Sequence, residues 1–320
     1  MNQHEKLGEK LLKEHIEFVP FSEILDRAII ELDETRPEDI VSFGYDFLDD
    51  KLTGLFKGEL TVIGGESGTG KTTFATNIIY KASKKHRCSV FALEDRLNDY
   101  GMKNIYFEIG RLRKEHGKKN YPWNAYRKNE IVDQEYKTYR DQAKQNLNNP
   151  NVYFADVKAQ MNIDMLERAI NNEIDAGSKL FLIDHLHYFD FGTSDSTKAD
   201  YIEKLMVRMK LIQNQTGARI LLVVHYRKLN GAKPSLDSFK DSMAIVQNAN
   251  YVINLWRDRS MVDEDSNRFE THMFVPKSRN PNGECSFKLM FNPDINDYEF
   301  KEVLFGTPLE DSLAQKYANF

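Results

Sequence analysis

The sequence is poor in the residues that build metal clusters and disulfide scaffolds. Its 320 positions hold two cysteines, Cys88 and Cys285, far apart in the chain and in no C-x-x-C pair. A zinc ribbon or finger is therefore not expected, and such sparse usage fits a reducing compartment. No apolar run is long enough to cross a bilayer, and the opening MNQHEKLGEKLLKEH is too polar for a signal peptide. The expected location is the cytoplasm, with no membrane partner. There is also no basic excess. The 44 Lys and Arg face 49 Asp and Glu, a formal net charge of −5, which excludes a general nucleic-acid coat. A local basic surface lining a channel stays compatible with that balance, because the field that matters is local. Internal repeats and low-complexity tracts are missing as well.

What is present suits a globular core: 41% hydrophobic and 29% charged residues, over a length that accommodates one large α/β domain plus extensions, or two small domains. Residues 1–40 read as a separate helical arm. In FSEILDRAIIELDE (21–34), Phe21, Ile24, Leu25, Ala28, Ile29 and Leu32 recur at helical spacing, with Ser22 as the candidate N-cap. The stripe either packs on the chain's own core or docks on a neighbouring subunit.

From 41 to 304, short apolar runs alternate with longer helical stretches. The runs are LTVIGG (60–65), SVFALE (89–94), NVYFAD (151–156), KLFLID (179–184), RILLVV (219–224) and YVINLW (251–256). Strands this apolar and this widely spaced predict a mostly parallel sheet with helices on both faces, an α/β fold. THMFVP (271–276) and CSFKLMF (285–291) flank NPNG and predict an antiparallel hairpin at the sheet edge. The polar stretch 98–150 reads as two or three inserted helices. Residues 305–320 read as a tail.

The sharpest chemical signal is GESGTGKT, with Gly65, Gly70, Lys71 and Thr72 in the spacing of a P-loop. An apolar strand precedes it and a helical pattern follows, which is the required context. Gly65, Glu66, Ser67, Gly68, Thr69, Gly70, Lys71, Thr72 and Thr73 would then surround the phosphates of ATP. Lys71 would reach the β/γ-phosphates, and the Thr72 hydroxyl would ligate Mg²⁺. Asp184, ending the apolar KLFLID, suits the second metal carboxylate. Glu94, ending SVFALE, is placed to deprotonate the attacking water; Glu66 is a rival base expected to point away.

Further along, His225 ends RILLVV and could sense the γ-phosphate, though a satisfied strand-end histidine has the same signature. Arg227, Lys228 and Lys233 follow it in a Gly/Pro-containing loop that either reaches nucleic-acid phosphates or is solvated surface. Lys277 and Arg279, two apart, share one face and suit a γ-phosphate offered by a neighbouring protomer, or form an ordinary surface pair. His185 and His187 have ligand-like i, i+2 spacing. No third ligand of the usual kind lies near in sequence, so zinc is not expected.

The order of these motifs resembles the DnaB-type replicative helicases and their RecA-like motor over most of 20–304. The likeness rests on FGYDFLDDKLTGLFKGELTVIGG (43–65), FALED with Glu94, IDHLHYF (183–189), LDSFKDSMAIVQNANYVINLWRD (236–258) and KSRNPNG. His225 departs from the usual glutamine and is similar to the mitochondrial Twinkle helicases and the phage primase–helicases. The resemblance implies an ATP-dependent helicase acting on single-stranded DNA as a ring, with a homohexamer as the expected form and a loader or primase as possible partners. It also implies that His225 couples the γ-phosphate to the DNA loop and that Lys277 and Arg279 act on the neighbour's ATP. Arg257 and Phe291 would border the adenine, and the helix at 21–34 would dock on a neighbouring subunit. Only about 40 residues precede the motor and there is no zinc motif, so priming is not expected. Two other readings share the core: a RecA-type strand-exchange ATPase, and a regulatory ATP switch that never translocates.

Overall fold

A computed structural model of the chain describes residues 18–189, 198–226, 233–236, 238–239, 243–263, 268–280 and 283–304. Two compact units emerge, Met1–Ile40 and Val41–Phe320. In the first, helix α1 (Phe21–Glu34) is followed by a 3-10 turn, Pro37–Asp39. The N-cap is Pro20 and not Ser22, which falls in the first turn. The proline ring holds φ at −57°, with ψ 142°, an entry that needs no side-chain cap. None of the helix residues is buried, the apolar stripe included: Phe21 is 71% exposed and Leu32 74%.

In the second unit, helix α2 (Asp46–Leu52) leads into strand β1 (Leu60–Gly65), the P-loop and helix α3 (Lys71–Ala82). Strand β2 (Cys88–Ala92) precedes an insertion of three helices, α4 (Leu97–Glu115), α5 (Trp123–Arg127) and α6 (Gln134–Leu147). Then come β3 (Val152–Phe154), α7 (Ile163–Asp175), β4 (Leu180–Asp184), α8 (Lys198–Thr216), β5 (Arg219–His225) and α9 (Met243–Asn248). The chain continues through β6 (Tyr251–Asp263), β7 (Arg268–Ser278), β8 (Cys285–Asn292) and β9 (Asp297–Leu304).

The described residues form a nine-stranded sheet in the order β3-β2-β4-β5-β1-β6-β7-β8-β9. Neighbours from β3 to β6 pair parallel; from β6 to β9 they pair antiparallel. The parallel strands are apolar on both sides because both faces are covered. Successive residues alternate between two cores. Ile63, Leu182, Leu221 and Val223 meet Phe74, Ile78 and Ile79 of α3. Leu60, Val62, Ile183 and Leu222 meet Ile170 of α7 and Leu205, Met206 and Met209 of α8. The insertion has a small core of its own, Ile109, Leu112, Tyr136, Tyr139 and Ala143. Asp133 caps its last helix, accepting from the Tyr136 N–H at 2.6 Å.

The hairpin expected around NPNG forms as β7 and β8, and β9 adds one further strand outside it. The sequence DYEFKEVL carries too many charges to read as a strand. The turn before β9 returns to the P-loop helix: Thr73 Oγ1 donates to Asn296 Oδ1 at 3.0 Å. Asn77 Nδ2 donates to the Asn296 carbonyl and to Asp297 Oδ1, both at 2.9 Å.

Candidate active site

The carboxyl ends of β1, β2, β4 and β5 gather most of the residues singled out in the sequence. The P-loop leaves β1 at Gly65 and enters α3 at Lys71. A Cβ at Gly65 would stand 2.6 Å from Thr69 Oγ1 and 2.8 Å from the Leu255 carbonyl, so no larger residue fits. Gly68 and Gly70 adopt φ of +79° and +91°, which L side chains resist. The Glu66 carbonyl closes the loop, accepting from Thr69 N at 3.3 Å and Thr69 Oγ1 at 2.9 Å. It also accepts from Lys71 Nζ at 2.7 Å. Burial lowers the Lys71 ammonium to about 8, against the opposing pull of Asp184, Glu94 and Glu66. A phosphate in the loop would give this buried cation the anionic partner that a carbonyl replaces only in part. Ser67 is exposed at the loop tip.

Thr72, the next residue of α3, hydrogen-bonds Asp184 at the end of β4. Burial raises the Asp184 carboxyl to about 6; Glu94 adds to the rise, while the Thr72 bond and Lys71 oppose it. Its Oδ1 is buried with no hydrogen-bond partner among the described residues. A buried carboxylate oxygen of this kind, with a hydroxyl beside it, fits a hard dication such as Mg²⁺. The Leu93 N–H donates to the Asp184 carbonyl at 2.7 Å, which fixes the chain just ahead of Glu94. Strand β2 ends at Ala92, so Glu94 lies on the following bend, its side chain 44% exposed. A cleft of about 890 Å³ opens beside it, bounded by Asp95, Arg96, Lys158, Gln160 and Tyr188 among others.

His225, the last residue of β5, pairs in register with Gly65. Burial is the main cause that lowers its imidazole to about 4, helped by Lys71 and His187, so it is neutral at pH 7. Its ring stands 4.3 Å from that of His185. The Glu94, His185 and His225 ligand atoms all lie within 4.8 Å of one another. His185 was legible in the sequence only as half of a histidine pair, because its neighbours arrive from two other strands.

Arg257 on β6 has its guanidinium 4.7 Å from the Phe269 ring centre and 5.0 Å from that of Phe291. Tyr298 on β9 packs on Phe291 at 5.1 Å, and its hydroxyl donates at 3.2 Å to the carbonyls of Thr69 and Gly70. Tyr298 thus braces the P-loop, as Asn296 and Asp297 brace α3. No motif marks these three residues in the sequence.

Lys277 and Arg279 are not brought to this pocket. Lys277 lies opposite Val252, which lies opposite Val62, toward the start of β1 and about 10 Å along the strand from Gly65. Lys277 Nζ donates to the carbonyl of Val246 and, at 3.1 Å, to that of Gln247. Arg279 Nη2 adds a contact to Gln247 at 3.4 Å. The pair caps the end of α9, and burial, then Arg279, depresses the Lys277 ammonium. Lys233 is exposed; Arg227 and Lys228 lie outside the described residues.

The model of the DnaB-like helicase C terminal domain matches residues 41–300. This chain belongs to the DnaB-like helicase C-terminal domain family. A replicative DNA helicase DnaB from Leifsonia xyli subsp. xyli is 20% identical over 274 residues, covering 82% of this chain and 58% of that protein. The chain therefore spans little more than half the length of that DnaB relative. Among solved structures, an isolated ATPase domain superposes with a TM-score of 0.72 at 16% identity, over 89% of this chain and 100% of that one. A DnaB-like replicative helicase studied for its interactions with primase gives the same score and identity, over 89% and 68%. These likenesses show the RecA-like fold of the DnaB-type motor. No helix among the described residues is long and apolar enough to cross a membrane.

Proposed function

We propose that the chain is the motor of a ring helicase, driven along single-stranded DNA by ATP hydrolysis at junctions between copies of itself. The observation that carries this reading is a division of labour across the sheet. Lys71, Thr72, Glu94, Asp184 and His225 converge at the carboxyl ends of the parallel strands. The cations Lys277 and Arg279 sit toward the opposite edge. One copy then offers a nucleotide pocket and the next offers the cations that neutralise charge in the transition state. A closed ring, with a homohexamer as the expected form, follows from repeating one heterologous contact.

In this scheme the backbone N–H groups of the P-loop and Lys71 hold the β/γ-phosphates. Arg257 and Phe291 flank the adenine. A Mg²⁺ ion held by Thr72 and Asp184 would neutralise charge on the phosphate oxygens. Glu94 orients the attacking water and takes its proton. Neutral His225 reports the γ-phosphate to the loop that begins two residues later, where Arg227, Lys228 and Lys233 bind DNA phosphates. Residues 41–304 form the motor, 1–40 an arm that docks on the neighbouring copy, and 305–320 a tail. The parent assembly works in the cytoplasm with DNA and a primase or loader.

A strand-displacement assay on a forked duplex tests the reading. Displacement should require ATP and vanish in Lys71→Ala. ATP hydrolysis that is indifferent to single-stranded DNA, with no displacement, contradicts it.

A further inference from the structure

Beside Glu94 stands a side chain to which the hydrolysis scheme gives no task. His185 follows Asp184, and its side chain is only 8% exposed. Its Nδ1 accepts a hydrogen bond from the His187 N–H at 3.2 Å. A neutral imidazole carries one proton, and a donor already faces Nδ1, so the proton sits on Nε2. Nε2 is also the atom that faces Glu94, 3.6 Å from Oε2. The ring has little freedom to turn: the rings of His225, Tyr188 and His187 lie 4.3, 4.8 and 5.4 Å away.

The same three residues, Glu94, His185 and His225, are close enough to hold a metal ion. Ligation through His185 Nε2 would move its proton to Nδ1, against the N–H of His187. The hydrogen-bond pattern therefore favours a donor over a ligand.

We propose that His185 is a positioning residue for Glu94, holding one carboxylate oxygen through Nε2–H and leaving the other for the attacking water. The inference rests on Glu94 being the base. During hydrolysis the water oxygen bonds to the γ-phosphorus, and the bridging P–O bond breaks with its electrons leaving on ADP. The water's proton passes to Glu94, and His185 keeps its own proton throughout. The present 3.6 Å gap is slightly long for a hydrogen bond, and such contacts close when substrate fills the site. An exposed glutamate with no fixed partner spreads over several rotamers; a fixed donor selects one.

The test compares His185→Phe with His185→Gln in the full chain, with saturating ATP and single-stranded DNA. Phenylalanine keeps the ring packing and loses the donor; glutamine keeps a donor and loses the ring. His185→Phe should lower kcat by roughly 10- to 100-fold, the worth of a hydrogen bond to a charged group, with KM for ATP changed less than about threefold. His185→Gln should recover most of the rate. A His185→Phe enzyme at wild-type rate, or a glutamine variant worse than the phenylalanine one, overturns the proposal in favour of packing. Should the phenylalanine variant melt early, the glutamine variant decides alone: near-wild-type kcat supports the proposal, and a loss beyond about tenfold overturns it. Zn²⁺ inhibition of the wild type that is lost in His185→Phe would make His185 a ligand and also overturn it. Glu94→Gln separates the two levels. If it hydrolyses ATP normally, the base assignment fails. If it is inactive while His185→Phe is normal, only the present inference fails.

Discussion

Glu94 and Asp184 are two carboxyls with different environments and different tasks. Asp184 is buried against Thr72, and Glu94 faces a cleft. Replacing Glu94 by Gln should therefore leave nucleotide binding intact and cut ATP turnover by about 10²- to 10⁴-fold, the usual worth of a general base. Equilibrium binding of a fluorescent ATP analogue, together with steady-state hydrolysis, checks both halves. Gly70→Ala should act on binding instead. Gly70 has φ +91°, and its new methyl would collide with the Tyr298 hydroxyl. A loss of nucleotide affinity, with a lowered Tm, is the expected outcome in titration and melting experiments. Away from the pocket, Glu59 is buried under Tyr251, and burial raises its carboxyl above the ordinary value. The folded state then holds this proton more tightly than the unfolded one. The stability contributed is present below about pH 4.5 and is lost as pH rises through the raised value. Melting curves should show Glu59→Gln losing less stability than the wild type between about pH 4.5 and 7.

At the level of elements, the contiguous features were legible and the assembled ones were not. Gly65, Gly70, Lys71 and Thr72 lie within eight positions between a strand and a helix, so their chemistry is written locally. The six parallel strands were visible as apolar runs because both of their faces are buried. Strand β9 was hidden by its charges, and with it Asn296, Asp297 and Tyr298, which steady α3 and the P-loop from more than 200 positions away. The histidine cluster was hidden for the same reason: it needs β2, β4 and β5 side by side. The exposed helix α1 was legible as amphipathic, and its apolar side has no cover within its own helix. If that side docks on a neighbouring copy, Ile29→Asp should lower the association constant seen in sedimentation while leaving the far-UV spectrum and Tm of the motor unchanged. Unaltered association would remove the arm from the interface.

For the whole molecule the decisive matter is whether a nucleotide pocket belongs to one copy or to two. Lys277 and Arg279 hold the carbonyls at the end of α9, away from the pocket built on β1, β2, β4 and β5. In a closed ring or an open filament they would meet the next copy's ATP, and electron microscopy with ATP and single-stranded DNA distinguishes those two assemblies. The most direct test of shared pockets is a mixing experiment. Glu94→Gln lacks the base but keeps the cationic hairpin; Arg279→Ala lacks the hairpin arginine but keeps the base. Each alone should have lost about 10²-fold or more of its ATPase rate. Mixed in equal amounts, they should regain a substantial fraction, because some junctions pair an intact base with an intact arginine. A mixture no more active than the average of its two parts would contradict the account.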